Sequence, residues 1–124
     1  FQSDLASFNK IADIVKTAEI INENIAISIY YENAKDANLV CAMAADELLT
    51  ISDITASFVI GKLDDKICIS GRSIGDINVQ RILEKLGGGG HITLAGAQVE
   101  GMTIEETKQE LINRINEYFS EISN

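Results

Sequence analysis

The chain has 124 residues, 46% of them hydrophobic, and a formal net charge of −9 at pH 7. That length fits one domain with its own core, and no apolar run is long enough to cross a bilayer. The acidic balance argues against broad electrostatic binding along a nucleic-acid backbone, and the absence of Pro favours regular elements over extended linkers.

Ser3 to Ile21 reads as a helix capped by Ser3 or Asp4, with Leu5, Phe8, Ala12 and Val15 on one apolar line. Ile11, Ile14 and Ala18 form a second line. Two such lines suit either a helix wedged between sheet and neighbouring helix or one touching an upstream domain or partner chain. Phe1 is not an initiator Met and no segment reads as a signal peptide, so a piece of a longer protein is expected. Ile25 to Tyr31 is β-branched and aromatic, a strand buried on both faces. A polar turn from Glu32 to Asn38 leads to a helix over Leu39 to Thr50, with Val40, Cys41, Ala44 and Leu48 on one face and Asp46 and Glu47 solvated. Thr55 to Ile60 is the second strand, parallel to the first through a right-handed crossover. Gly61 to Lys66 is a polar turn, and Ile67 to Ser70 runs back as an antiparallel hairpin partner.

Gly71 to Ile77 then leaves the sheet edge. Asn78 caps a helix in which Val79, Ile82, Leu83 and Leu86 share a face, ending at Gly87. Ala95 to Val99 is an inner strand or a tight segment beneath the preceding loop. Thr103-Ile104-Glu105-Glu106 is a capping box opening a last helix that runs to about Phe119. The expected architecture is a single α/β domain: a mixed β-sheet with a βαβ unit and a hairpin, flanked by about four helices. Cys41 and Cys68 lie in apolar segments and form no CxxC pair, so buried free thiols of an intracellular protein are expected rather than a zinc site.

The most informative stretch is Gly87-Gly88-Gly89-Gly90-His91, which holds four of the nine glycines and the one histidine. Ordering four consecutive glycines costs much backbone entropy, and suits a chain that must turn sharply or approach something closely. Successive amides of such a loop can cradle an anion; the plainer alternative, at least for Gly87, is a helix C-cap. Between Lys62 and Lys85 lie five of the ten basic residues (Lys62, Lys66, Arg72, Arg81 and Lys85) but only four of the nineteen acidic ones. That asymmetry fits a small anionic ligand, although Lys66 and Lys85 also suit ordinary solvated charges. Ser70-Gly71-Arg72-Ser73 ends a strand one helix before the glycines. Its guanidinium fork and two hydroxyls would complement phosphate oxygens, with His91 adding a donor or a proton acceptor. A metal-dependent phosphoesterase site needs clustered Asp and His ligands, which this sequence does not offer.

Leu86 to Ala97, with Ser70-Gly71-Arg72-Ser73 before it, resembles the small DHH-associated C-terminal domain of the DHH (RecJ-like) phosphoesterases, marked by a GGGH loop after an S-x-R-S element. From about Ile25 to Phe119 the chain is most similar to cyclic-di-AMP phosphodiesterases of the GdpP (YybT) type. Ala95-Gly96-Ala97 departs from the commoner Ala-Ala-Gly order, and no Asp-His-His triplet occurs. The resemblance implies a connecting helix over residues 1–24 and a substrate-binding domain over 25–124. It implies phosphate-binding roles for Ser70, Arg72, Ser73, Gly88, Gly89, Gly90 and His91, and no catalytic or metal-binding residue in this chain. Manganese is expected on an upstream DHH domain in cis, with a cyclic dinucleotide or short oligonucleotide as substrate. A homodimer is compatible with it. The parent would stand in the cytoplasm or face it from a membrane anchor, this domain making no direct membrane contact. The alternatives are the same domain of an oligoribonuclease, single-strand exonuclease or nucleoside-bisphosphate phosphatase, a non-catalytic RNA-binding module like the editing regions of alanyl-tRNA synthetases, or a dimerisation domain whose glycines are a hinge.

Overall fold

The computed structural model describes residues 4–123. In chain order the elements are α1 (Leu5–Lys16), β1 (Glu19–Ile21), β2 (Ile25–Asn33), α2 (Ala37–Leu48), β3 (Ala56–Leu63), β4 (Lys66–Ser73), α3 (Val79–Glu84), β5 (Gly89–Gly90), β6 (Leu94–Glu100) and α4 (Ile104–Ile122). The strands form one six-stranded sheet in the order β1-β2-β3-β4-β6-β5. β2 and β3 are parallel across the α2 crossover, and every other neighbouring pair is antiparallel. The expected α/β domain with a mixed sheet, a βαβ unit and a hairpin is what forms.

Strand alternation divides the core in two. Ile25, Ile27, Phe58, Ile60, Ile67 and Ile69 point to the face covered by α3 and α4, where Ile82, Leu83, Leu111 and Ile115 meet them. Ala26, Tyr30, Val59 and Cys68 point to the other face, against Ile11 and Ile14 of α1 and Val40, Cys41, Ala44 and Leu48 of α2. The central strands are largely apolar because helices cover both of their sides, and the buried Ser28 and Ser57 hydroxyls donate to helix carbonyls, Ile14 O (2.6 Å) and Ala45 O (2.7 Å). α2 spans β2, β3 and β4 but stops short of β6 and β5. The outer third of the sheet is therefore bare on that face, and the candidate site lies there.

Several boundaries differ from the sequence reading. The first helix ends at Lys16, and Glu19–Ile21 pairs with β2 as an edge strand. Left-handed Asn22 (φ 47°) and Glu23 (φ 72°) make the reversal that permits it. On α1 the line Ile11–Ile14 is the buried one, whereas Leu5 and Phe8 are exposed. Asp4 caps the helix, accepting a hydrogen bond from Ser7 N at 2.8 Å. β3 continues through Gly61 to Leu63, because the hairpin reverses later, at Asp64 (φ 57°). β4 continues to Ser73, held between Ala56 on one side and Leu94 and Ala95 on the other. The capping box is present: Thr103 Oγ1 accepts from Glu106 N (3.0 Å), and Glu106 Oε1 from Thr103 N (2.9 Å).

Cys41 and Cys68 are free and buried where α2 crosses the sheet. The hydrogen bond they share, with burial second, pushes the Cys41 thiol up. Gly61 makes room for them, since a Cβ there would stand 2.6 Å from Cys41 Sγ. Gly61→Ala should therefore destabilise the domain by about 1–3 kcal/mol through overpacking. Urea unfolding checks this, and an unchanged midpoint would show that α2 can shift freely over β3.

Candidate functional site

α3 ends by handing the chain straight to the glycine run. Gly88 N donates to Leu83 O (2.9 Å) and Gly87 N to Glu84 O (3.1 Å), with Gly87 at φ +82°. These are the nested bonds of a Schellman cap, so the expected C-cap role of Gly87 is met. The amides of Gly87 and Gly88 are thereby occupied, and neither is left for an anion.

The next residues lie down beside β6. Gly89 opposes Gly96, and Gly90 opposes Ala95. His91 N donates to Leu94 O (2.7 Å) and Leu94 N to His91 O (3.3 Å), closing a tight hairpin over Ile92 and Thr93. Close approach explains two of the glycines. A Cβ on Gly88 would sit 2.2 Å from Gly96 O and 2.7 Å from Ala97 Cβ; one on Gly90, at φ +145°, would sit 2.5 Å from Leu94 O. Gly89 has neither reason: its φ is ordinary and an added Cβ would meet nothing within 4 Å.

That open space is a trough of about 410 Å³ on the bare face, with Asn38, Ser70, Gly88, Gly89, Gly96 and Gln98 among its lining residues. Gly89 and Gly96 lie side by side in it. Asn38, in the first turn of α2, stands on one side. Gln98 enters from β6, opposite Cys68. Ser70 is only 9% exposed, yet its hydroxyl has no protein partner among the described residues and opens on the trough.

Strand pairing sets Ser57, Arg72, Leu94 and His91 in one row across the sheet. Ser57 Oγ donates to Ala45 O of α2 (2.7 Å), which shows that the row faces the trough side. Side chains opposed in an antiparallel pair share a face, so Arg72 and His91 flank Leu94 about 10 Å apart, two strand spacings. Arg72 is tethered: Nε donates to Asp46 Oδ1 (2.8 Å) and Nη1 to Gly71 O (2.9 Å). Among the described residues these are its two protein bonds, leaving three of the five guanidinium N–H groups for a ligand. Asp46, read from sequence as solvated, is therefore the partner of Arg72.

Of the residues expected at a phosphate, the trough gathers Ser70, Gly88 and Gly89; Arg72 and His91 do not line it but lie on the same sheet face two residues along from Ser70 and Gly89. Gly90 pairs edge to edge with Ala95 of β6. Ser73 lies on the opposite face of β4. Its hydroxyl donates to Ile77 O (2.6 Å), lies 3.3 Å from Ile92 O, and accepts from Gly75 N (3.3 Å). Ser73 thus braces the hairpin that carries His91. The basic residues that cluster in sequence also part company. Lys66 pairs with Glu100 (3.6 Å), Arg81 with Glu121 (2.9 Å) and Lys85 with Glu117 (3.8 Å), all away from the trough. Sequence reasoning missed Asn38, Gln98 and Asp46. Gln98, a lone polar residue in an alternating strand, was the available signal. Among the described residues, no three His, Cys, Asp or Glu side chains gather as a metal would need, so the donor set does not fit manganese. No helix among them is long and apolar enough to cross a membrane.

The mixed sheet thus carries a glycine hairpin on the edge that α2 leaves bare. Residues 22–121 match the DHHA1 domain model, and the chain belongs to that family. It is 44% identical to the cyclic-di-AMP phosphodiesterase GdpP of Geobacillus thermodenitrificans, over 95% of this chain and 18% of that protein. It is 40% identical to the cyclic-di-AMP phosphodiesterase PdeA of Listeria monocytogenes, again over 95% of this chain and 18% of that one. The chain thus spans less than a fifth of the curated relatives it matches. Among solved structures, an exopolyphosphatase-related protein from Bacteroides fragilis shares the fold with a TM-score of 0.82 at 16% identity, over 99% of this chain and 38% of that one.

Proposed function

We propose that this domain grips the phosphorylated end of a dinucleotide for a metal-dependent phosphodiesterase whose metal-bearing part lies elsewhere in the same protein. The observation that carries the reading is the row on the bare sheet face. Arg72, held by Asp46 with N–H groups to spare, and His91 lie on the same sheet face as an open trough floored by Gly89 and Gly96, two residues beyond its lining. A guanidinium and an imidazole at that spacing suit phosphate oxygens, and the trough beside them has room for the rest of a nucleotide. Two named relatives are cyclic-di-AMP phosphodiesterases, which supports a cyclic dinucleotide or its linear product as the substrate class. Manganese would belong to a DHH domain in cis, in a parent that stands in the cytoplasm or faces it from a membrane anchor.

An amide-resolved NMR titration of this chain with the linear dinucleotide 5′-pApA tests the reading. Shifts should concentrate at Ser70, Gly89, His91 and Leu94. Shifts confined to the cleft between α1 and β2 that Lys10, Tyr30 and Glu32 line, or none at millimolar ligand, would overturn it.

A further inference from the structure

The trough is unevenly built. Beyond one end, two residues along the strands, lies the row with Arg72, its partner Asp46, and His91. The residues that line the trough itself carry no charge. What they offer instead are two carboxamides, Asn38 and Gln98, and the Ser70 hydroxyl, open and without a protein partner. The amides of Gly87 and Gly88, the obvious anion donors there, are already bound within the α3 cap. This half is therefore poorly equipped for a phosphate and well equipped for a flat, neutral group with hydrogen-bonding edges. Gly89 and Gly96 reinforce the point. They sit opposite one another with no side chain above either, although nothing in the fold prevents a Cβ at Gly89. A bare pair of peptide planes is a surface on which an aromatic ring can lie, and carboxamides read the donor–acceptor edges of bases.

We propose that the glycine-floored half of the trough receives the nucleobase, with Asn38 and Gln98 at its edges and Ser70 beside it. The proposal rests on the phosphate reading above, which assigns the other end. It makes Asn38 and Gln98 specificity-determining residues, and it gives Gly89 a purpose that its backbone does not.

The test compares AMP with ribose 5-phosphate, which keeps the phosphate and sugar and lacks the base, on the 124-residue chain by NMR titration. AMP should bind at least about ten-fold more tightly, the scale of one base contact. Asn38→Ala, Gln98→Ala and Gly89→Ala should each bring AMP toward the affinity of ribose 5-phosphate and leave ribose 5-phosphate unchanged. His91→Ala should weaken both ligands alike. Equal affinity for the two ligands in the parent chain, or equal loss of both in the Asn38 and Gln98 variants, overturns base recognition while leaving the phosphate site standing. Failure of both ligands to bind removes the phosphate reading, and this proposal with it.

Discussion

Gly88→Ala should lower folding stability by about 3 kcal/mol, near the upper range of overpacking changes, and drop the melting temperature by roughly 10 °C. The new methyl would have to share space with a backbone oxygen 2.2 Å away and a Cβ at 2.7 Å, neither of which can move by changing a rotamer. Relief requires α3 and β6 to separate, and the Gly88 N–H bond to Leu83 would go with them. Gly89→Ala, one residue on, is the control. Its backbone is ordinary and its surroundings empty, so its stability should stay within about 0.5 kcal/mol of the parent, or rise slightly from the stiffer unfolded chain. Urea unfolding followed by circular dichroism measures both. Equal losses in the two variants would mean that the run is uniformly structural and that Gly89 is not reserved for a ligand.

In the full-length enzyme, Arg72→Ala or His91→Ala should reduce kcat/KM on the dinucleotide by about ten- to a thousand-fold, the usual cost of a phosphate contact. The two should be nearly additive, since Leu94 separates them and neither bonds the other. His91→Ala should hardly alter unfolding, because His91 is exposed, whereas Arg72→Ala should cost about 1–2 kcal/mol, since the Arg72 side chain is only 12% exposed and loses packing along with its ion pair to Asp46. Unchanged kinetics in both variants would strip the row of its role.

Much of this fold can be read from residue order. Runs such as Ile25–Tyr31 announce central strands because helices on both sides leave few polar positions in them, here Ser28 alone among the buried ones. Asn78 and Thr103 cap helices where their sequence context says they should. The boundaries that were misread involve tertiary pairing. Ile20 and Ile21 look helical until the edge of β2 is there to take them, and Gly61 looks like a turn until two thiols need its space. The site is half legible for the same reason. The glycines and His91 are contiguous, so their loop is visible in the sequence. Asn38 and Asp46 lie on α2, and only the crossover brings them beside β4 and β6. Basic residues crowded between Lys62 and Lys85 suggest a positive patch, but strand and helix geometry sends Lys66, Arg81 and Lys85 to separate carboxylates.

The link between Arg72 and Asp46 bears on the thermodynamics of recognition. A long basic side chain on a surface normally wanders among many rotamers, and freezing it on complex formation costs about 0.5–1.5 kcal/mol. Here the carboxylate on α2 and the Gly71 carbonyl already fix the guanidinium plane. The disorder is surrendered during folding, so an arriving anion meets a rigid fork and its association should carry little configurational penalty at this residue.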